Sequence, residues 1–159
     1  MIAVVIVAVL ALIAIPLFSR ETRKGKAKSE VAPMFAEISS KEEAYKIDNN
    51  SYLDLATCPS TISNQQQSAT ACTSVASWST VRINLPQQSL YCQYAVTSGA
   101  SNTTPATIPV GFTFNPSGVS PVPWYFILAT CEMDGSTGTH SYYFQGSGDG
   151  IIQVLNEGQ

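Results

Sequence analysis

His140 is the only histidine in the chain, so any hydrolytic relay built on an imidazole would have to use it. No G-x-S-x-G elbow accompanies it, and a surface or strand histidine is the simpler reading. Asp134 in "EMDGSTG" and Asp149 in "GSGDG" are candidates for holding calcium together with loop carbonyls. Two carboxylates are few for a hard cation, and the same residues are ordinary turn formers. No other metal and no cofactor is expected. Cys58, Cys72, Cys92 and Cys131 contain no C-x-x-C pair, which argues against zinc. Disulfides in an oxidising compartment are the better reading. Four cysteines allow three pairings. The favoured set is Cys58–Cys72, which closes one short loop, and Cys92–Cys131, whose members both lie in strand-like segments.

Tyr91, Tyr94, Trp124, Tyr125, Phe126, Tyr142, Tyr143 and Phe144 invite thoughts of binding or electron conduction. Their alternation within strands makes core and inter-subunit packing the default. Asn102-Thr103-Thr104 is an acceptor sequon in a Ser/Thr-rich stretch, Thr97 to Thr107, and permits a surface glycan.

The elements that must position these residues begin with an apolar run. Met1 to Ile15 carry no charge and no hydrogen-bonding side chain. With Leu17 and Phe18 the run reaches about 27 Å as a helix, against a hydrocarbon core near 30 Å. It is apolar around its whole circumference, so lipid or protein must surround it. A secretory signal peptide has an apolar run of this length, but its basic residues precede the run, whereas here they follow it.

Charge is unevenly placed. Residues 1–46 hold seven bases and five acids, a net of +2; residues 47–159 hold one base and six acids, a net of −5. A basic neck (Arg20, Arg23, Lys24, Lys26, Lys28) therefore joins an acidic head, and no specific nucleic-acid binding is expected of that head. The neck bases, interleaved with Glu21 and Glu30, read as a solvated helix face. The positive-inside tendency would put the neck in the cytoplasm; the cysteines, given more weight here, put the head in an oxidising compartment.

From Leu17 to Asn49 the periodicity is helical. Val31, Met34, Phe35, Ile38 and Tyr45 form an apolar stripe that Glu42 interrupts, and Glu37, Lys41, Glu42, Glu43 and Lys46 supply i,i+4 pairs on other faces. Pro16, Gly25 and Pro33 are soft points, and "DNN" at Asp48 to Asn50 is a stop. The divisions are a hydrophobic helix (1–18), an amphipathic helix (19–50), a disulfide-clasped loop (51–80) and a head (81–159). In the head, "VRINL", "LYCQYAV", "TIPVGFTF", "PWYFILATC", "HSYYFQ" and "IIQVL" read as strands, the last three joined as a meander by "MDGSTG" and "GSGDG". The expected fold class is α+β: a long N-terminal α-helix packed on a C-terminal antiparallel β-sheet.

"MIAVVIVAVLALIAIPLFSRETRKGKAKSE" resembles the N-terminal helix of type IV pilins and of the related pseudopilins of type II secretion. The shared features are the uninterrupted apolar run, "AIP" at Ala14 to Pro16 and the charged amphipathic continuation. The likeness is close over the first fifty residues and holds in outline beyond them. It implies a pilin fold and a structural, non-enzymatic subunit. It further implies a homo-oligomeric helical filament, an inner-membrane precursor handled by pilus assembly machinery, and a final place in an extracellular pilus. In that reading Met1, Val4, Val5, Val7, Ala8, Val9, Ala11, Leu12, Ile15, Pro16 and Phe18 form the anchor and filament core, and the stretch from Pro16 to Gly25 loses helix on assembly. One feature departs from the family. Its mature chains begin several residues earlier and carry a glutamate near the start, whereas residues 1–16 hold no acid, so this sequence is expected to start inside the motif. Two rivals are a pseudopilin of type II secretion and, from another class, a membrane-anchored binding domain that does not polymerise.

Overall fold

The computed structural model describes residues 2–105, 107–115, 117–135 and 138–158, without the side chains of residues 2–20 and Arg23. One α-helix, α1 (Ile2–Asn49), runs unbroken through Pro16, Gly25 and Pro33. Pro33 is tolerated because it lies on the exposed side of the helix, where the carbonyl it leaves unpaired can meet water. The helix stops where its last carbonyls are met by a left-handed residue: the Asn50 N–H donates to the Lys46 carbonyl at 2.8 Å, with φ of 54° at Asn50. Among residues that carry a Cβ, asparagine is one of the few that adopt that conformation readily.

Beyond the helix lie β1 (Leu55–Cys58), β2 (Gln67–Ser68), α2 (Thr70–Thr73), α3 (Ala76–Val81), β3 (Ser89–Leu90) and β4 (Cys92–Gly99). The chain ends with β5 (Trp124–Cys131), β6 (Ser141–Gly146) and β7 (Gln153–Leu155). Five strands form one antiparallel sheet in the order β1-β4-β5-β6-β7, and β2 pairs with β3 in a small ribbon. The protein is thus α+β, with an N-terminal helix and an antiparallel sheet.

Alternation along the strands separates two buried faces. On one, Cys92, Tyr94 and Val96 of β4, Tyr125, Ile127, Ala129 and Cys131 of β5, and Tyr143 of β6 pack with Ala27, Val31, Met34, Phe35 and Ile38 of α1. On the other, Trp124 and Phe126 of β5 and Phe144 of β6 pack with Phe114, supported by Ile108, Phe112 and Leu128. Because both faces of β5 are covered, its "WYFILA" is a continuous apolar run with no polar alternation.

Two strand expectations are corrected, one at each buried face. "TIPVGFTF" is not a strand: the Phe112 N–H returns to the Pro109 carbonyl at 3.3 Å, Gly111 has φ of 97°, and Phe112 and Phe114 fold down as a lid on the sheet. "VRINL" is not a strand either. Val81 closes α3, Arg82 turns left-handed with φ of 53°, and Ile83 is pulled back toward Trp78. The segment read as a loop, 51–80, holds β1, β2, α2 and most of α3. The free edge of β1 is covered by α3: Ser77 Oγ accepts the Ala56 N–H at 3.2 Å, and the Trp78 Nε1–H donates to the Ala56 carbonyl at 2.7 Å.

Aromatic rings of the second face lie directly on glycines. A Cβ at Gly99 would overlap the indole of Trp124, its cross-strand partner, and that indole is tied down by a 3.0 Å bond from Nε1–H to Thr103 Oγ1. Gly99→Ala is therefore expected to lower stability by about 1–3 kcal/mol, the usual cost of overpacking. A urea unfolding midpoint equal to that of the parent would contradict this packing.

Candidate functional site

The densest polar chemistry lies in the seam between α1 and the head. Glu30 is 3 % exposed and Glu42 is 0 % exposed, both on the face of α1 that meets the sheet. Glu30 reaches the start of β4. Its Oε2 accepts the Tyr91 N–H at 2.8 Å, and its Oε1 accepts the Cys92 N–H at 2.9 Å and the Tyr94 hydroxyl at 2.9 Å. Burial raises its pKa and the three donors pull it back down; burial, with Glu30 beside it, pushes Tyr94 well up. Glu42 reaches the turn after α1, where its Oε2 accepts the Leu53 N–H at 2.9 Å.

These two glutamates are the functional candidates that sequence reasoning misplaced. Glu30 is not part of a solvated face, and Glu42 does not pair with Lys46. The Lys46 ammonium instead donates to the Tyr52 hydroxyl at 2.8 Å, which donates to Glu43 at 2.8 Å. The available signal was position: Glu30 falls three residues after Ala27 and four before Met34, and Glu42 four after Ile38, on the apolar stripe itself.

The neck is tied to the head at points away from this seam. Lys28 pairs with Glu157 at 3.0 Å, and Lys26 lies 5.7 Å from the centre of the Tyr91 ring. Lys24 pairs within the helix with Glu21 at 2.9 Å, and Lys41 approaches Glu37 at 3.8 Å. Such half-exposed pairs each contribute little, typically below about 1 kcal/mol.

Both disulfides are buried. Cys58–Cys72 joins the end of β1 to α2, and Cys92–Cys131 links residues directly opposite each other on β4 and β5. All four thiols are consumed. His140 precedes β6 with its ring edge-on to Tyr142, centroids 6.2 Å apart, and its Nδ1 has no hydrogen-bond partner among the described residues. A relay would need a carboxylate there to orient the ring.

The calcium pairing of Asp134 with Asp149 fails on topology. Asp134 follows β5 and Asp149 follows β6, so the six residues of β6, roughly 17 Å, separate them. Asp149 is engaged in its own turn, Oδ1 accepting the Ile151 N–H at 3.0 Å. Among the described residues no three His, Cys, Asp or Glu side chains gather as a metal site. Of the aromatic residues, Tyr94, Trp124, Tyr125, Phe126, Tyr143 and Phe144 are buried core. Asn102 is exposed at a left-handed turn with φ of 61°.

The anchor candidates Met1, Val4, Val5, Val7, Ala8, Val9, Ala11, Leu12, Ile15, Pro16 and Phe18 lie outside the described side chains. Among the described residues no helix is long and apolar enough to cross a membrane.

Truncating Glu30 would strand three donors in the seam, and each buried group left unsatisfied costs about 1–3 kcal/mol. Glu30→Ala is expected to destabilise the fold by about 3 kcal/mol or more, read as a lowered thermal melting temperature; an unchanged melt would remove the clamp from the account. Compared with protein-family profiles, curated proteins and solved structures, the chain matches none, so the case for its function rests on its own residues.

Proposed function

We propose that this chain is a pilin-like structural subunit of a type IV pilus-like filament. The observation that carries the reading is the length of α1 relative to what covers it. Its 48 residues extend roughly 72 Å, while the longest strands, of 8 residues, extend roughly 26 Å. The described buried positions on α1 run only from Ala27 to Glu42, and the residues ahead of them, Met1 to Phe18, are uncharged and apolar.

In this reading the pilin fold divides labour along one helix. The second half completes the head, and the first half supplies surface that only lipid or sister helices satisfy. As a precursor it sits in the inner membrane. Assembly machinery then withdraws it, and packing against other copies replaces the lipid. The contact is heterologous, one patch against a different patch of the next copy, and therefore grows as an open helix. Pro16, which has no N–H to donate, and Gly25 bracket the stretch that opens in the filament. The disulfide-clasped sheet faces outward. No residue is assigned a catalytic role and no cofactor a place.

Burying one Val, Leu or Ile contributes about 1.5–3 kcal/mol, whereas an unpaired charge in such a core costs several. Val9→Asp or Ala11→Asp is expected to abolish filaments while the head keeps its melting temperature. Filaments of parental number and length from either variant would overturn the proposal. Monomers alone, after detergent extraction of the parent chain, would point to the anchored, non-polymerising domain, and short periplasmic rods to a pseudopilin.

A further inference from the structure

Glu30 and Glu42 are the same residue type, on one helix, at nearly the same burial, yet their surroundings differ. Glu30 has donors on both oxygens. Glu42 has one donor, Leu53 N–H, on Oε2, and its Oε1 is buried without a hydrogen-bond partner. The groups around Glu42 offer it no cation. From its own helix comes the Glu43 carboxylate, while the Lys46 ammonium is spent on the Tyr52 hydroxyl. From the segment after the helix come Tyr52 and the Asp54 carboxylate, whose Oδ1 accepts the Ser98 N–H and hydroxyl at 2.6 Å and 3.0 Å. From β5 comes Tyr125, which is hydrogen-bonded to Ser39 of the helix. A buried carboxylate with one bare oxygen and two acidic neighbours is costly; a neutral carboxyl in the same place costs much less.

We propose that Glu42 is a proton-operated latch, closed while its carboxyl is neutral and released when it is charged, that fastens the segment from Asn50 to Asp54 to the end of α1. The geometry confines what moves. Leu55 already pairs with Val96, and Cys58 is bonded to Cys72, so β1 stays in the sheet when the latch opens. Opening exposes the Glu42 carboxyl to water and lets the helix end fray past Tyr45.

Burial, reinforced by Asp54 and Glu43 and opposed by the Leu53 N–H, raises Glu42 from 4.5 to about 7. An open, hydrated carboxyl ionises near its ordinary value. Between these limits the open form binds fewer protons than the closed form, so rising pH favours opening, and above about 7 the effect levels off. Across that window the opening constant should rise on the order of a hundredfold. The latch does not depend on polymerisation.

The test is amide hydrogen exchange of the full-length chain in detergent, corrected for intrinsic exchange rates, from pH 5 to pH 8. The opening constant at Leu53 is expected to rise about a hundredfold and then plateau. The Cys92 amide, held by Glu30 inside the seam, should open far less readily than Leu53 at every pH. Glu42→Gln, which keeps the shape and the acceptor for Leu53, should give a flat profile, and Asp54→Asn should shrink the rise by removing a neighbouring negative charge. A pH-independent Leu53, an equal rise in Glu42→Gln, or a Leu53 that opens no more readily than Cys92 would each overturn the latch.

Discussion

Everything in the head depends on one stripe of α1 remaining against the sheet. Ala27, Val31, Met34, Phe35 and Ile38 cover the face formed by Tyr94, Val96, Ile127, Ala129 and Tyr143, and without them that face would lie open to water. Apolar burial is non-directional and would tolerate a helix slid along the sheet. Glu30 removes that freedom. Its two oxygens meet three donors at the start of β4, and a shift of the helix by one turn, about 5.4 Å, would break all three. Register between helix and sheet is thus fixed chiefly by the three bonds to Glu30, with Tyr125 of β5 hydrogen-bonded to Ser39 farther along the helix.

The sheet is unusual in needing cover twice. The helix protects one face, and the connection between β4 and β5 protects the other by laying Phe112 and Phe114 over Trp124, Phe126 and Phe144. Gly99 and Gly146 are where the rings come to rest, each placed across from a large residue of β5. The outer edge of β1 is closed by side chains of α3, which the Cys58–Cys72 bond holds close through α2. The head therefore gains its independence from short-range devices on every side except the one that α1 supplies.

Most of this plan was legible from periodicity. The stripe at Val31, Met34, Phe35 and Ile38, the halt at Asn50, the β5-β6-β7 meander and the cysteine partners follow from local spacing, and the structure contains each of them. The failures share a cause: local pattern cannot say what a residue meets across the fold. "TIPVGFTF" has strand composition, but its phenylalanines are drawn onto a distant aromatic face. "VRINL" has it too, but Trp78, Val81 and Ile83 are recruited to the core beside the helix. Glu30 looks like one charge among many until Tyr91, Cys92 and Tyr94, sixty residues on, are seen to converge on it. Asp134 and Asp149 both sit in turn-rich sequence that could serve one cation, yet a whole strand separates them. As for the candidate site, the cysteines could be paired by eye, whereas the two buried glutamates needed the fold.

In the proposed reading, the apolar residues up to Phe18 and the core stripe from Ala27 to Ile38 belong to one helix whose first part changes surroundings once in the subunit's life. The most direct measurement is cryo-EM of fibres sheared from cells that express this chain. The account predicts a fibre built chiefly of this chain, with the residues up to Phe18 packed around the axis and the sheet outside. Finding the chain only as a membrane-bound monomer, in no fibre at all, would contradict it.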